Sequence, residues 1–161
     1  GGLIDDVMNR YLLLMAMVCG CTTAVPMHVQ LTVDGDEAFT TAVTQGARTW
    51  SHLGLVVDAA PGDVEVVITQ RTTLPETGDG SIVGHADLDA MTIDMLSLKS
   101  PDHLRHVAAH EMGHLLFGAD HLTHPGQRGI MWYSATWEIL TPTEDDYALA
   151  CSEAGYCSRA D

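Results

Sequence analysis

His110-Glu111-Met112-Gly113-His114 places two imidazoles and a carboxylate where they can act on one small target. On a helix, His110 and His114 stand four residues apart, so they project from one face a turn apart and can share a metal ion. Neutral imidazole is a good zinc ligand, and a catalytic zinc takes three protein ligands and leaves a vertex for water. Glu111 follows the first ligand directly, where it reaches the zinc-bound water and not the metal. Zinc lowers the pKa of that water to about 7, and Glu111 accepts its proton. Gly118 can close the helix in a left-handed conformation, after which His121 can return to the metal.

A second feature follows, Gly129-Ile130-Met131-Trp132-Tyr133. Together the two resemble the metzincin zinc endopeptidases, which pair a long three-histidine motif with a methionine turn under the metal. Within that clan the matrixins, bacterial ones included, are most similar. Pro125-Gly126 resembles their Asp-Pro-Gly after the third histidine, and Leu140 to Asp146 resembles the opening of their last helix. The chain departs from the family pattern at one point: Phe117 stands where the family has glycine, and Gly118 and His121 each come one residue late. Two residues therefore compete for the third ligand. Asp120 keeps the family spacing from His114, and some small bacterial metzincins use an aspartate there. His121 keeps the family spacing to Pro125 and is the ligand adopted, with the extra residue absorbed in the turn at Phe117.

The resemblance implies further roles. Met131 would form an apolar floor beneath the zinc without binding it. Tyr133 resembles the tyrosine that follows the methionine in astacins and serralysins, where it helps hold the oxyanion; the competing reading is a buried aromatic in the pocket wall. Trp132 and residues 134–137 would line the specificity pocket. The segment Ile82 to Asp87 resembles the strand edging the matrixin cleft, whose unpaired backbone groups can pair with an extended peptide. Asp87 and Asp89 offer oxygen ligands for Ca²⁺, against the plainer reading of a solvated strand end. Only His85 stands where matrixins have a ligand of a structural zinc, so that second site is expected to be absent. His106 lies on the ligand face but is about 12 Å along the axis from His114, too far to share the ion, and reads as a supporting or surface group. His28, His52, His103 and His124 have no ligand spacing and read as surface or loop residues.

Seven Lys and Arg against 22 Asp and Glu give a net charge of −15. That excludes a nucleic-acid partner, whose binding rests on basic side chains that neutralise phosphates. At 161 residues the chain is one domain by length, with enough chain to bury its own core. Met8-Asn9-Arg10 followed by apolar Tyr11–Val18 reads as a secretory signal, too short to span a bilayer. Val18-Cys19-Gly20-Cys21 resembles a bacterial lipobox with Cys21 as the lipidated residue; an ordinary cleaved signal or a buried apolar helix are the alternatives. Gly1–Val7 read as upstream residues. With Cys19 and Cys21 set aside, Cys151 and Cys157, six apart in an exported protein, read as a disulfide closing a C-terminal loop; zinc binding by the pair is disfavoured, because no second pair remains to complete a tetrahedral site.

These groups need elements to hold them. Met27–Val33 alternates as a strand with one buried face. Asp34-Gly35-Asp36 turns and caps a helix carrying Phe39, Val43, Ala47 and Trp50 to about Leu53, stopped by Gly54. Leu55–Val57, Val64–Thr69, Ile82–Leu88 and Met91–Met95 read as strands, and Thr72–Gly80 as a polar loop. Ser100-Pro101-Asp102 starts the motif helix, whose apolar stripe is Leu104, Val107, Ala108, Leu115 and Leu116. The expected class is α+β. The resemblance implies a mixed twisted sheet, two long helices above the cleft, and a small C-terminal subdomain with a third helix. Residues 1–21 are signal and upstream sequence, and 22–161 one catalytic domain, its upper part about 27–118 and its lower part about 119–161.

The implied activity is zinc-dependent endopeptidase hydrolysis of a protein or peptide substrate. The implied protein is a monomer exported to the cell envelope (periplasm or outer membrane) or secreted, touching membrane only through a lipid at Cys21. The alternative is a surface lipoprotein that keeps this fold without catalysis and binds zinc or a protein partner.

Overall fold

A computed structural model of the chain describes residues 27–74, 83–98, 100–132 and 138–154. The expectations for Cys19, Cys21, Tyr133 and Cys157, and with them the lipid anchor and the disulfide, lie outside those residues. The architecture is α+β. Five strands, β1 (Met27–Asp34), β2 (Leu55–Asp58), β3 (Val64–Arg71), β4 (Gly84–Asp87) and β5 (Thr92–Leu96), form one sheet in the order β2-β1-β3-β5-β4. All pairings are parallel except β4 with β5. Among the described residues, three α-helices accompany it: α1 (Glu37–Ala47), α2 (Pro101–Phe117) and α3 (Glu144–Ala154). None of the described helices is long and apolar enough to cross a membrane.

Alternation places the core. Val29 and Leu31 of β1, Val66 and Ile68 of β3, and Ile93 and Met95 of β5 are buried on one sheet face, where Phe39, Val43 and Ala47 of α1 and Leu104, Val107 and Ala108 of α2 meet them. At Gly46 the two helices approach so closely that a Cβ would stand 2.3 Å from the Arg105 carbonyl oxygen.

Three local expectations are corrected. The first helix keeps α geometry only to Ala47 and continues as a 3₁₀ segment, Arg48–Leu53, before Gly54 reverses the chain at φ 79°. That tightening swings Trp50 inward, fully buried, with its indole N–H donating to the Ala109 carbonyl at 2.8 Å. Second, β4 starts at Gly84 and ends at Asp87, because the Asp87 carboxylate accepts from the N–H groups of Asp89 and Ala90 and folds the chain into a turn. Met91 closes that turn at φ 55°, so β5 begins one residue later, at Thr92. Third, the buried surface of α2 is wider than the expected stripe: Leu104, Val107, Ala108, Leu115 and Leu116 are buried, and so are Ala109, Met112 and Gly113, since α1 and the return segment cover its remaining sides.

Candidate metal centre

Helix α2 begins as its sequence dictates. Ser100 caps it by accepting from His103 N–H, and Pro101 occupies the first turn, where a missing N–H costs nothing. It ends at Gly118, φ 58°, whose N–H bonds the His114 carbonyl at 3.0 Å. The chain then turns back along the helix, Leu122 pairing with Trp132.

This reversal carries His121 to the two helical histidines. The Nε2 atoms of His110 and His114 are 3.0 Å apart, and those of His110 and His121 are 3.1 Å apart. Among the described residues, these three form the group of potential ligands able to hold a metal ion, with their nitrogens all within 4.8 Å of one another. Asp120 is not in that group. Its carboxylate accepts from the His121 backbone N–H at 2.7 Å, and its side chain is 87% exposed.

The tautomers decide what the cluster can bind. His110 Nδ1 lies 2.7 Å from the Ile130 carbonyl and His114 Nδ1 lies 2.6 Å from the Ala119 carbonyl. A carbonyl only accepts, so each Nδ1 carries the proton and each Nε2 presents a lone pair. Two facing lone pairs repel unless a cation lies between them. Tetrahedral ligands about 2.0–2.1 Å from zinc would themselves be roughly 3.3 Å apart, close to the spacing found. The donor set fits a divalent, nitrogen-preferring metal.

Electrostatics point the same way. Burial pushes the His110 pKa from 6.5 down to about 3, against the pull of its bond to Ile130, and the neighbouring imidazoles lower it further. Burial likewise lowers His114. Both are therefore neutral at physiological pH, the form in which imidazole binds metal. Glu111 is 7% exposed, and burial raises its carboxyl to about 7, opposed by a backbone hydrogen bond from Ala86. That value suits a group that must both take and return a proton near neutrality.

The return segment is held by a residue that the sequence reading singled out only as part of a tail. Asp146, fully buried in α3, accepts from the N–H groups of Ile130 (2.9 Å), Met131 (2.8 Å) and Thr143 (2.7 Å). It thus caps its own helix and fixes the turn whose Ile130 carbonyl orients His110. The signal was present: Thr143-x-x-Asp146 has capping-box spacing with an acid in the third position. Gly129 is required beside it, since a Cβ there would lie 2.3 Å from both Asp146 oxygens. Met131 is fully buried with its sulfur against Gly113, where a Cβ would stand 2.3 Å from it.

His106 is neither a ligand nor a surface group. It is 1% exposed, its Nδ1 donates to the Ile139 carbonyl at 2.7 Å, and its ring stacks on His110 with centroids 6.4 Å apart. His28 and His124 are exposed, as their lack of ligand spacing implied. No protein-family model matches the chain, and no curated protein does.

Proposed function

We propose that the protein is a zinc-dependent endopeptidase of the metzincin kind, matrixin-like in its closing segments. The observation that carries this reading is the convergence of three imidazoles, two of them with Nδ1 held by carbonyls, beside a buried carboxyl with a pKa of about 7. His110, His114 and His121 would hold the ion. When bound, zinc supplies Lewis acidity that polarises the scissile carbonyl, offsets charge on its oxygen and acidifies a water.

The remaining work belongs to side chains and backbone. Ile130 and Ala119 carbonyls keep the imidazoles in the ligating tautomer and fix their planes. The Glu111 carboxylate accepts the proton of the attacking water and passes it to the departing amine. Met131 and Leu122, both at 2% exposure or less, exclude water behind the imidazoles. In support, strand β4 is an edge of the sheet among the described residues and packs against α2, and an edge strand can pair with an extended peptide through backbone groups. A peptide substrate, not a nucleic acid, agrees with the charge of −15.

Casein cleavage by the purified chain, with and without chelator and beside Glu111→Ala, tests the reading. The expected result is loss of activity in chelator, recovery with zinc, and a fall of about 10²–10⁴-fold in the variant. Absence of cleavage with zinc fully loaded, or equal activity in Glu111→Ala, overturns it.

A further inference from the structure

Strand β4 and Glu111 are joined in a way the peptidase reading does not require. A Cβ on Gly84 would lie 2.7 Å from Glu111 Oε1, 2.8 Å from Glu111 Cγ and 2.6 Å from Val107 Cγ1. The Glu111 side chain therefore lies across a space that exists only because residue 84 has no side chain.

The strand register supplies a second, independent observation. Leu96 N–H bonds the Val83 carbonyl at 2.9 Å, and the ladder pairs Gly84 with Met95, His85 with Asp94 and Ala86 with Ile93. Hydrogen-bonded and non-bonded pairs alternate along antiparallel strands. His85 therefore turns its backbone groups toward β5, while Gly84 and Ala86 turn theirs to the free edge. Among the described residues an outward N–H on this edge strand has no ladder partner, which leaves the Ala86 N–H open to the Glu111 carboxyl that lies against Gly84, two residues away on the strand.

We propose that Gly84 is a positioning residue for Glu111: its missing side chain seats the carboxyl on the outward N–H of Ala86, on the strand that packs against the helix carrying His110 and His114. The seat fixes the proton acceptor from a second element, so the orientation of Glu111 does not depend on α2 alone. It also places the acceptor on a backbone donor that an extended peptide pairing with β4 would itself use. This last consequence rests on the peptidase reading; the seat does not.

Amide hydrogen exchange of the full chain, resolved at Ala86, tests it. In Glu111→Ala and in Gly84→Ala the Ala86 amide is expected to exchange on the order of tenfold faster than in the parent. Glu111→Gln keeps an acceptor oxygen and should retain protection, and His85, bonded to β5, should be unchanged in all three. Equal Ala86 exchange in the parent and Glu111→Ala overturns the proposal. So does acceleration of His85 together with Ala86, which would mark general loosening of β4. If Gly84→Ala does not fold, the Glu111→Ala and Glu111→Gln pair still decides. Normal protection in a chain that cleaves nothing would leave the seat standing and remove the peptidase.

Discussion

Replacing Asp146 by alanine should unlock the candidate metal centre from a distance. Three backbone N–H groups lose their acceptor, and two of them, on Ile130 and Met131, belong to residues with no solvent exposure. A buried donor left unsatisfied costs about 1–3 kcal/mol, and losing a helix cap costs about 1 more. Relief from burying the carboxylate and entry of a water each recover part of this. The expected net loss is about 3–4 kcal/mol, a large share of the roughly 5–15 kcal/mol of a typical domain. Urea unfolding of the metal-free chain at pH 7 measures it. The same substitution frees the Ile130 carbonyl that orients His110, so zinc affinity, read by competition with a chromophoric chelator, should fall about 10–100-fold. Asp146→Asn keeps one acceptor oxygen and should lie between. A stability loss under about 1 kcal/mol, or unchanged zinc affinity in a folded Asp146→Ala, would refute the chain of contacts from α3 through Ile130 to His110.

In Glu111→Gln, acid should destabilise the metal-free protein early. The folded-state pKa of His110 is depressed from 6.5 to about 3, so its contribution is complete above 6.5 and is lost as pH falls through that window. At pH 4.5 the loss amounts to about 3 kcal/mol. With Glu111 present its carboxyl, raised to about 7, gains stability over the same range and offsets the loss. Urea midpoints of Glu111→Gln that stay flat between pH 7 and 4.5 would therefore contradict it. His121→Ala should abolish tight zinc binding while Asp120→Ala keeps it within about tenfold, because the Asp120 carboxylate accepts from the His121 backbone and stands outside the cluster; metal titration of the two variants decides. Gly113→Ala should cost about 1–3 kcal/mol by driving a methyl into the Met131 sulfur, and Met131→Ala in the same chain should recover part of it; additive losses in the double variant would show that the two residues do not touch.

What could be read in advance was whatever depends on near neighbours in the chain. The caps at Asp36 and Ser100, the stop at Gly118 and the alternation of β1 all act over a few residues, and each occurs where expected. The turn after Asp87 is equally local, but its decisive bond runs from a side chain to the backbone of Asp89 and Ala90, which apolar periodicity does not register. His106 was left between a supporting and a surface role for a different reason. A histidine on a helix surface is polar by composition, and its burial is supported from far along the chain, by a bond to the carbonyl of Ile139, 33 residues away.

The third ligand shows where spacing stops being informative. His110 and His114 are tied by the helix itself, so counting residues suffices. Beyond Gly118 the geometry belongs to a closed loop, and adding one residue moves every later side chain by an amount that only the anchors determine. Those anchors are the His114 bond to the Ala119 carbonyl, the Leu122 pairing with Trp132, and the Asp146 clamp on Ile130 and Met131. Between them they leave His121 facing the two helical imidazoles and turn Asp120 to solvent. One residue more in such a turn would therefore change which side chain faces the two helical imidazoles without separating the cluster, provided the two ends of the loop stay fixed to the helix.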